Sequence, residues 1–164
     1  MARISLDINL TPLLEEIQRA NGNVEAATMK AAEACTEILE DSLKASCNAS
    51  GISGSISGAI KGETEKLSGG NVYKSSAGWK MGSYNPRDPS PGYLALFFNY
   101  GTGKREVKTE KLRVNVGGKW ETLSKNRGSI SARRFLDDAK KDAKPKVKKA
   151  QEGILNEILG GLKQ

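Results

Sequence analysis

Asn23-Val24-Glu25-Ala26-Ala27-Thr28-Met29-Lys30-Ala31-Ala32-Glu33-Ala34-Cys35-Thr36-Glu37-Ile38-Leu39-Glu40-Asp41-Ser42-Leu43 is the stretch that decides the fold. Val24, Ala27, Ala31, Ala34, Cys35, Ile38, Leu39 and Leu43 recur at intervals of three and four, which draws one apolar stripe along a helix. Asn23 is a good N-cap, because its short side chain can accept from a helix-start amide. Small residues at 27, 31 and 34 let another element approach closely, and Glu33, Glu37, Glu40 and Asp41 take the other face.

Working back to the start, Ile4, Leu6 and Ile8 alternate with Ser5, Asp7 and Asn9, the period of a half-buried strand. Thr11-Pro12 then opens a short helix through Leu13, Leu14 and Ile17 that ends at Asn21-Gly22. Forward of the long helix, 48–70 is rich in Ser and Gly, and Ile52, Ile56 and Ile60 there fit a frayed helical turn or an irregular strand at a sheet margin. Val72, Tyr73, Trp79 and Met81 suggest two short strand-like runs separated by Ser75 to Gly78, followed by a proline-rich turn from Asn85-Pro86 to Pro91-Gly92. Tyr93-Leu-Ala-Leu-Phe-Phe-Asn-Tyr100 is the strongest strand candidate, closed by Gly101. Leu112, Val114 and Val116, then Gly117-Gly118, then Trp120 and Leu123 read as a hairpin with a two-residue turn.

Ser131 is positioned to cap a last helix whose apolar face holds Phe135, Leu136, Ala139, Ala143, Val147, Ala150, Ile154, Ile158 and Leu162, with Pro145 expected to kink or split it. Tyr100, Gly101, Phe135 and Leu136 are expected to form the junction between the aromatic strand and this helix. The order β-α-α-β-β-β-hairpin-α makes the fold α+β: a small antiparallel sheet packed with two long helices, plus an inserted basic hairpin. At 164 residues the expected organisation is one domain over 1–164, with 103–130 as an inserted hairpin or loop and a mobile connection at Ser124 to Ser129.

Composition narrows the function. Hydrophobic residues are 37% and aromatics 5%, so the core is thin and assembly is expected to supply part of the stability. The net charge of +7 is uneven: residues 104–149 carry 16 basic and 6 acidic side chains, the rest 10 and 13. One half can therefore face a polyanion while the other does not, or the lysines simply solvate a helix and a loop. No charged-then-apolar leader follows Met1 and no apolar run reaches ~18 residues, so neither export nor membrane insertion is expected.

The chain has no His, which removes the usual general base, both familiar His-dependent nucleophile arrangements and a common metal ligand. Cys35 and Cys47 read as buried free thiols and match no zinc spacing. Glu15-Glu16 and Asp137-Asp138 are helix neighbours about 100° apart and share no site. Gly101-Thr102-Gly103-Lys104 lacks the residues and the following helix of a phosphate-binding loop. No catalytic, cofactor or metal residues are assigned, and no enzyme activity is expected. The basic residues of the hairpin region, Lys104, Arg105, Lys108, Lys111, Arg113 and Lys119, are the candidates for facing DNA or a partner.

Two segments together carry a resemblance. Tyr93-Leu-Ala-Leu-Phe-Phe-Asn-Tyr-Gly101-Thr102 and Ala132-Arg133-Arg134-Phe135-Leu136-Asp137-Asp138-Ala139 resemble the phage tail-component family typified by the tenth gene product of the HK-type lambdoid phages. On that resemblance Tyr100, Gly101, Thr102, Ala132, Arg133, Phe135 and Leu136 are its structural motif. Arg134 stands where that family has Pro, and 103–130 separates motif halves that lie closer in relatives. The resemblance implies a virion protein of the neck or tail, made in the host cytoplasm. It would be a homo-oligomeric ring, sixfold by analogy, that joins head connector to tail and passes double-stranded DNA non-specifically. A non-specific nucleic-acid-binding protein is the alternative.

Overall fold

The computed structural model of the chain describes residues 3–6, 11–20, 22–52, 54–67, 72–82, 89–103, 113–116, 119–122 and 129–162, with the backbone alone at 113–116 and 119–122. In chain order the elements are β1 (Arg3–Ile4), α1 (Thr11–Arg19), α2 (Val24–Ala49), α3 (Ser55–Gly58), β2 (Ile60–Lys66), β3 (Tyr73–Trp79), α4 (Pro91–Tyr100), β4 (Arg113–Val116), β5 (Lys119–Thr122) and α5 (Phe135–Leu162). The fold is α+β.

Asn23 caps α2 as its sequence requires: its backbone is extended and its side-chain oxygen accepts from the Ala26 amide at 3.0 Å. Inside α2, Ala27, Ala31, Cys35, Leu39, Leu43 and Cys47 are buried at every fourth position. α5 repeats the device with Phe135, Ala139, Ala143, Val147, Leu155 and Leu159. Rows spaced by four are the ridges with which helices interlock, and Ala and Cys keep those ridges low. The two helices run antiparallel. Ser46 Oγ donates to the Phe135 carbonyl at 2.8 Å at one end, while Ala27 and Ala31 cluster with Leu155 and Leu159 at the other.

The sheet has strand order β1-β3-β2, antiparallel throughout, with Ile4 opposite Ala77 and Gly62 opposite the same Ala77 on the far side. One face lies on α2. Ser75 Oγ donates to the Ala32 carbonyl at 2.8 Å, and the Thr36 and Thr64 hydroxyls bond each other at 2.6 Å. Ile4, Ile60, Ala77 and Trp79 are buried beneath. Trp79 fixes the end of the sheet: its indole N–H donates to the Ile56 carbonyl at 2.7 Å, and its ring meets Phe135 edge to face at 6.0 Å between centroids.

Several expectations are corrected. Tyr93–Tyr100 is not a strand but the body of helix α4. Ser90 and Pro91 start it in the manner that Thr11-Pro12 was expected to start α1, and Gly101, at φ +75°, ends it. Tyr73–Trp79 is one continuous strand, because Ser75 to Gly78 pair with Lys61 to Thr64 of β2 instead of turning. Ile60–Lys66, left open between turn and strand, is a regular strand, and Ile56 belongs to the single turn α3. Ser131 does not cap the last helix, which begins at Phe135. Pro145 does not split α5: it lies on the exposed side, where the carbonyl deprived of its amide partner can turn to water. The hairpin stands as read, with Val116 opposite Lys119 and Arg113 opposite Thr122. The first strand is described only at Arg3–Ile4, and 7–10, the proline-rich turn at 83–88 and the connection at 124–128 lie outside the described residues.

Candidate assembly site

α4 is apolar on nearly every side, yet it buries its smallest residues. Gly92, Ala95 and Asn99 face the body. The reason is close approach: a Cβ on Gly92 would stand 2.6 Å from Met81 Sδ and 3.1 Å from Trp79 Cβ. Leu94, Leu96 and Phe98 pack partly on the core, Tyr93 and Phe97 are half-buried, and Tyr100 is 69% exposed.

The last turn of α4 then builds the entrance to α5. Arg134, just before Phe135, is in the left-handed region at φ +48°, and a basic side chain there cannot cap the helix. Asn99 does so instead. Its side-chain oxygen accepts from the Leu136 amide at 3.0 Å and its carbonyl accepts from the Arg134 amide at 3.1 Å, both in a site where Asn99 is 1% exposed. A partner is obligatory there, since a buried helix start cannot give its amides to water. The neighbouring Phe98 carbonyl accepts from the Arg133 amide at 3.0 Å. The Arg133 guanidinium stacks 5.1 Å above the Phe98 ring and donates to the Ser50 carbonyl at the end of α2 at 2.6 Å.

Gly101 and Thr102 close the arrangement. A Cβ at Gly101 would meet the Ile130 carbonyl at 2.6 Å and the Ala132 amide at 2.8 Å, so this position needs Gly for space as well as for its φ. The Thr102 amide donates to the Ile130 carbonyl at 2.9 Å, and the Ile130 amide donates to Thr102 Oγ1 at 3.0 Å. The chain between Thr102 and Ile130 thus leaves and returns at one clamped point.

Of the residues singled out from sequence, Gly101, Thr102, Ala132, Arg133, Phe135 and Leu136 come together here. Tyr100 does not join them, since its ring points outward. Arg113 and Lys119 fall in β4 and β5, at opposite ends of the hairpin and three cross-strand pairs apart, whereas Lys104, Arg105, Lys108 and Lys111 lie outside the described residues. Sequence reading passed over Asn99, the residue that holds the site together. Its signal was a lone polar side chain, bracketed by aromatics, in an otherwise apolar run. Of the lysines counted in the basic half, Lys140, Lys141, Lys144, Lys148 and Lys149 are exposed on the outer face of α5.

Elsewhere the described surface offers little acid-base chemistry. Burial pushes the Cys47 thiol up to about 12 and raises that of Cys35, so both stay protonated and inert at neutral pH. A groove of about 540 Å³ beside the outer sheet face holds Arg3 and Glu63, which neutralise each other as an ion pair at 2.8 Å. Among the described residues no His, Cys, Asp and Glu side chains cluster as metal ligands, and no helix is long and apolar enough to cross a membrane. The chain matches no protein-family model, no curated protein and no solved structure.

Proposed function

We propose that this chain is a structural subunit of a tailed-phage virion, forming a ring in the neck or at the tail-completion level that joins head connector to tail and passes DNA. The observation that carries the reading is the junction. The two segments behind the phage resemblance lie about thirty residues apart in the chain, yet they interlock through Phe98 and Asn99 on one side and Arg133, Arg134 and Leu136 on the other, with Thr102 bonding Ile130 just ahead of the second segment. Motif residues that share one hydrogen-bonded structure are a more specific resemblance than two short matches alone.

Two further features support an assembly role. Tyr100, exposed at the end of α4 next to the half-buried Tyr93 and Phe97, is the aromatic kind of side chain that subunit contacts bury. The two halves of the chain also differ in charge sign, and unlike faces suit the head-to-tail contacts from which rings are made. Arg134 marks a departure, because Pro is locked near φ −65° and could not adopt the φ of +48° found here.

Disrupting the gene in the phage that encodes it should leave DNA-filled heads and finished tails that do not join, seen by electron microscopy of lysates. Charge reversal at Lys108, Lys111 and Arg113 should give the same defect. Normal infectious particles from the disrupted gene would end this reading. Tight, sequence-selective DNA binding by the purified chain would favour the nucleic-acid alternative.

A further inference from the structure

We infer that the β4–β5 hairpin of one copy adds to the open edge of β2 in a second copy, so that subunits join head to tail through a shared sheet. The inference deepens the ring reading above and rests on it for its biological setting. Two backbone edges carry the argument, the Thr64–Lys66 part of β2 and the outer sides of the hairpin.

The first edge is β2. Among the described residues β3 pairs with one side of Ile60–Lys66 and no strand pairs with the other. The Gly62 amide points to that free side, because Glu40 Oε2 accepts from it at 2.6 Å. By strand alternation Thr64 and Lys66 present their amides the same way. Nothing in the described residues takes them. Natural sheets normally shorten, twist or cover such an edge, and a regular seven-residue strand left open is a template for another strand.

The second is the hairpin. β4 and β5 are four residues each, they pair with one another, and no helix or strand among the described residues packs substantially against them. A two-stranded ribbon of that size is marginal in water on its own and gains stability from a third strand. The stretch of chain that carries it leaves and returns where Thr102 and Ile130 bond each other.

Charge selects a second copy as the occupant. α2 packs against β2 with its acidic side near that edge: Glu25 pairs with Lys66, Thr36 bonds Thr64, and Glu40 accepts from the Gly62 amide. Glu33, Glu37 and Asp41 of α2 are exposed on that side of the molecule, as is Met29 at 46%. The sequence that carries the hairpin, 104–131, has 8 basic and 3 acidic residues. A basic ribbon from the same protein meets an acidic-flanked edge, and backbone pairing sets the geometry.

The test uses proline at amides that face away from each strand's own ladder, which leaves the fold intact while blocking addition. Lys66→Pro closes the β2 edge. Asn115→Pro with Thr122→Pro closes both edges of the hairpin, whose own bonds run through the Val116–Lys119 and Val114–Glu121 pairs. Wild-type chain should self-associate in sedimentation as concentration rises, and each variant should stay monomeric. Mixing the two variants should give a one-to-one complex that grows no further, since one partner retains the hairpin and the other the edge. Hydrogen exchange on the wild type should show the Thr64 and Lys66 amides becoming protected on association. A wild type that remains monomeric at every soluble concentration overturns the inference, as do variants that associate like it or a mixture that does not pair. Failure here with unjoined heads and tails in the gene disruption removes this contact only; association here with normal particles removes the virion reading only.

Discussion

The two ends of the α2–α5 pair bury similar helices by different means. At the end where α5 begins, Trp79, Phe135, Leu39 and Leu43 pack beside directional bonds donated by Trp79 Nε1 and Ser46 Oγ and accepted by Asn99 Oδ1. At the end where α5 finishes, Ile17, Ala27, Ala31, Leu155 and Leu159 meet with aliphatic contact and no side-chain hydrogen bond among them. Aliphatic packing tolerates small shifts of one helix over another, whereas bonds to a buried helix start fix both register and angle. The first end therefore defines the geometry and the second adds stability.

Substitution of large core residues at the two ends tests that division first. Phe135→Ala removes a fully buried ring and should cost about 3 to 5 kcal/mol, with loss of near-ultraviolet signal from Trp79 as its edge-to-face partner disappears. Leu155→Ala should cost about 2 to 4 kcal/mol, toward the lower part of the usual range if α1 settles into the space, and should leave the Trp79 signal unchanged. Equal loss of that signal in both variants would mean that the two ends are not separable.

Arg134→Pro comes next, at about 3 kcal/mol, because the ring forbids φ +48° and removes the amide that Asn99 accepts. Denaturant unfolding measures it. A variant as stable as the wild type would show that the junction also accepts a backbone path with φ near −65° at this position.

How much of this was legible in the sequence follows from which forces were local. α2 and its Asn23 cap could be read because stripe, cap and acidic outer face agree within one segment. The hairpin could be read because Gly117-Gly118 sits between alternating runs. α4 was misread since Tyr, Leu and Phe favour strands, although Ser90-Pro91 and Gly101 bracketed the run as a helix. End signals outweighed side-chain preference there, and the buried face is made of Gly92, Ala95 and Asn99, which no hydrophobic count would select. The cap of α5 was beyond local reading. Its donor and acceptor are 37 positions apart, so Ser131 looked like the only candidate.

Asn99→Ala tests that distant cap and should cost about 2 kcal/mol, the loss of a cap together with an amide left unsatisfied in a dry site. The buried thiol of Cys47, in the same hydrophobic cluster, reports the consequence. With its pKa pushed up to about 12 it stays protonated at pH 8, and alkylation then requires local opening. Labelling of Cys47 should be faster in Asn99→Ala than in Leu155→Ala, despite the smaller loss of global stability. The reverse order would place the geometry-setting bonds at the other end.

The smallest effect sharpens what Arg133 does. Its guanidinium lies over Phe98 of α4 and bonds the Ser50 carbonyl that ends α2, so one exposed side chain ties together three segments. Lys could supply charge to the carbonyl end of α2, where a cation is favoured, but its ammonium has no planar face to lay on the ring. Arg133→Ala should therefore cost about 1 kcal/mol and Arg133→Lys about half of that, the difference between them being the charge and the residue being the stack. Salt separates the two parts. Raising ionic strength should weaken the advantage of Lys over Ala and leave the advantage of Arg over Lys nearly unchanged, since stacking is screened far less than an exposed charge. If Lys matches Arg at every salt concentration, Phe98 contributes nothing to the clamp, and the end of α2 is held by electrostatics alone.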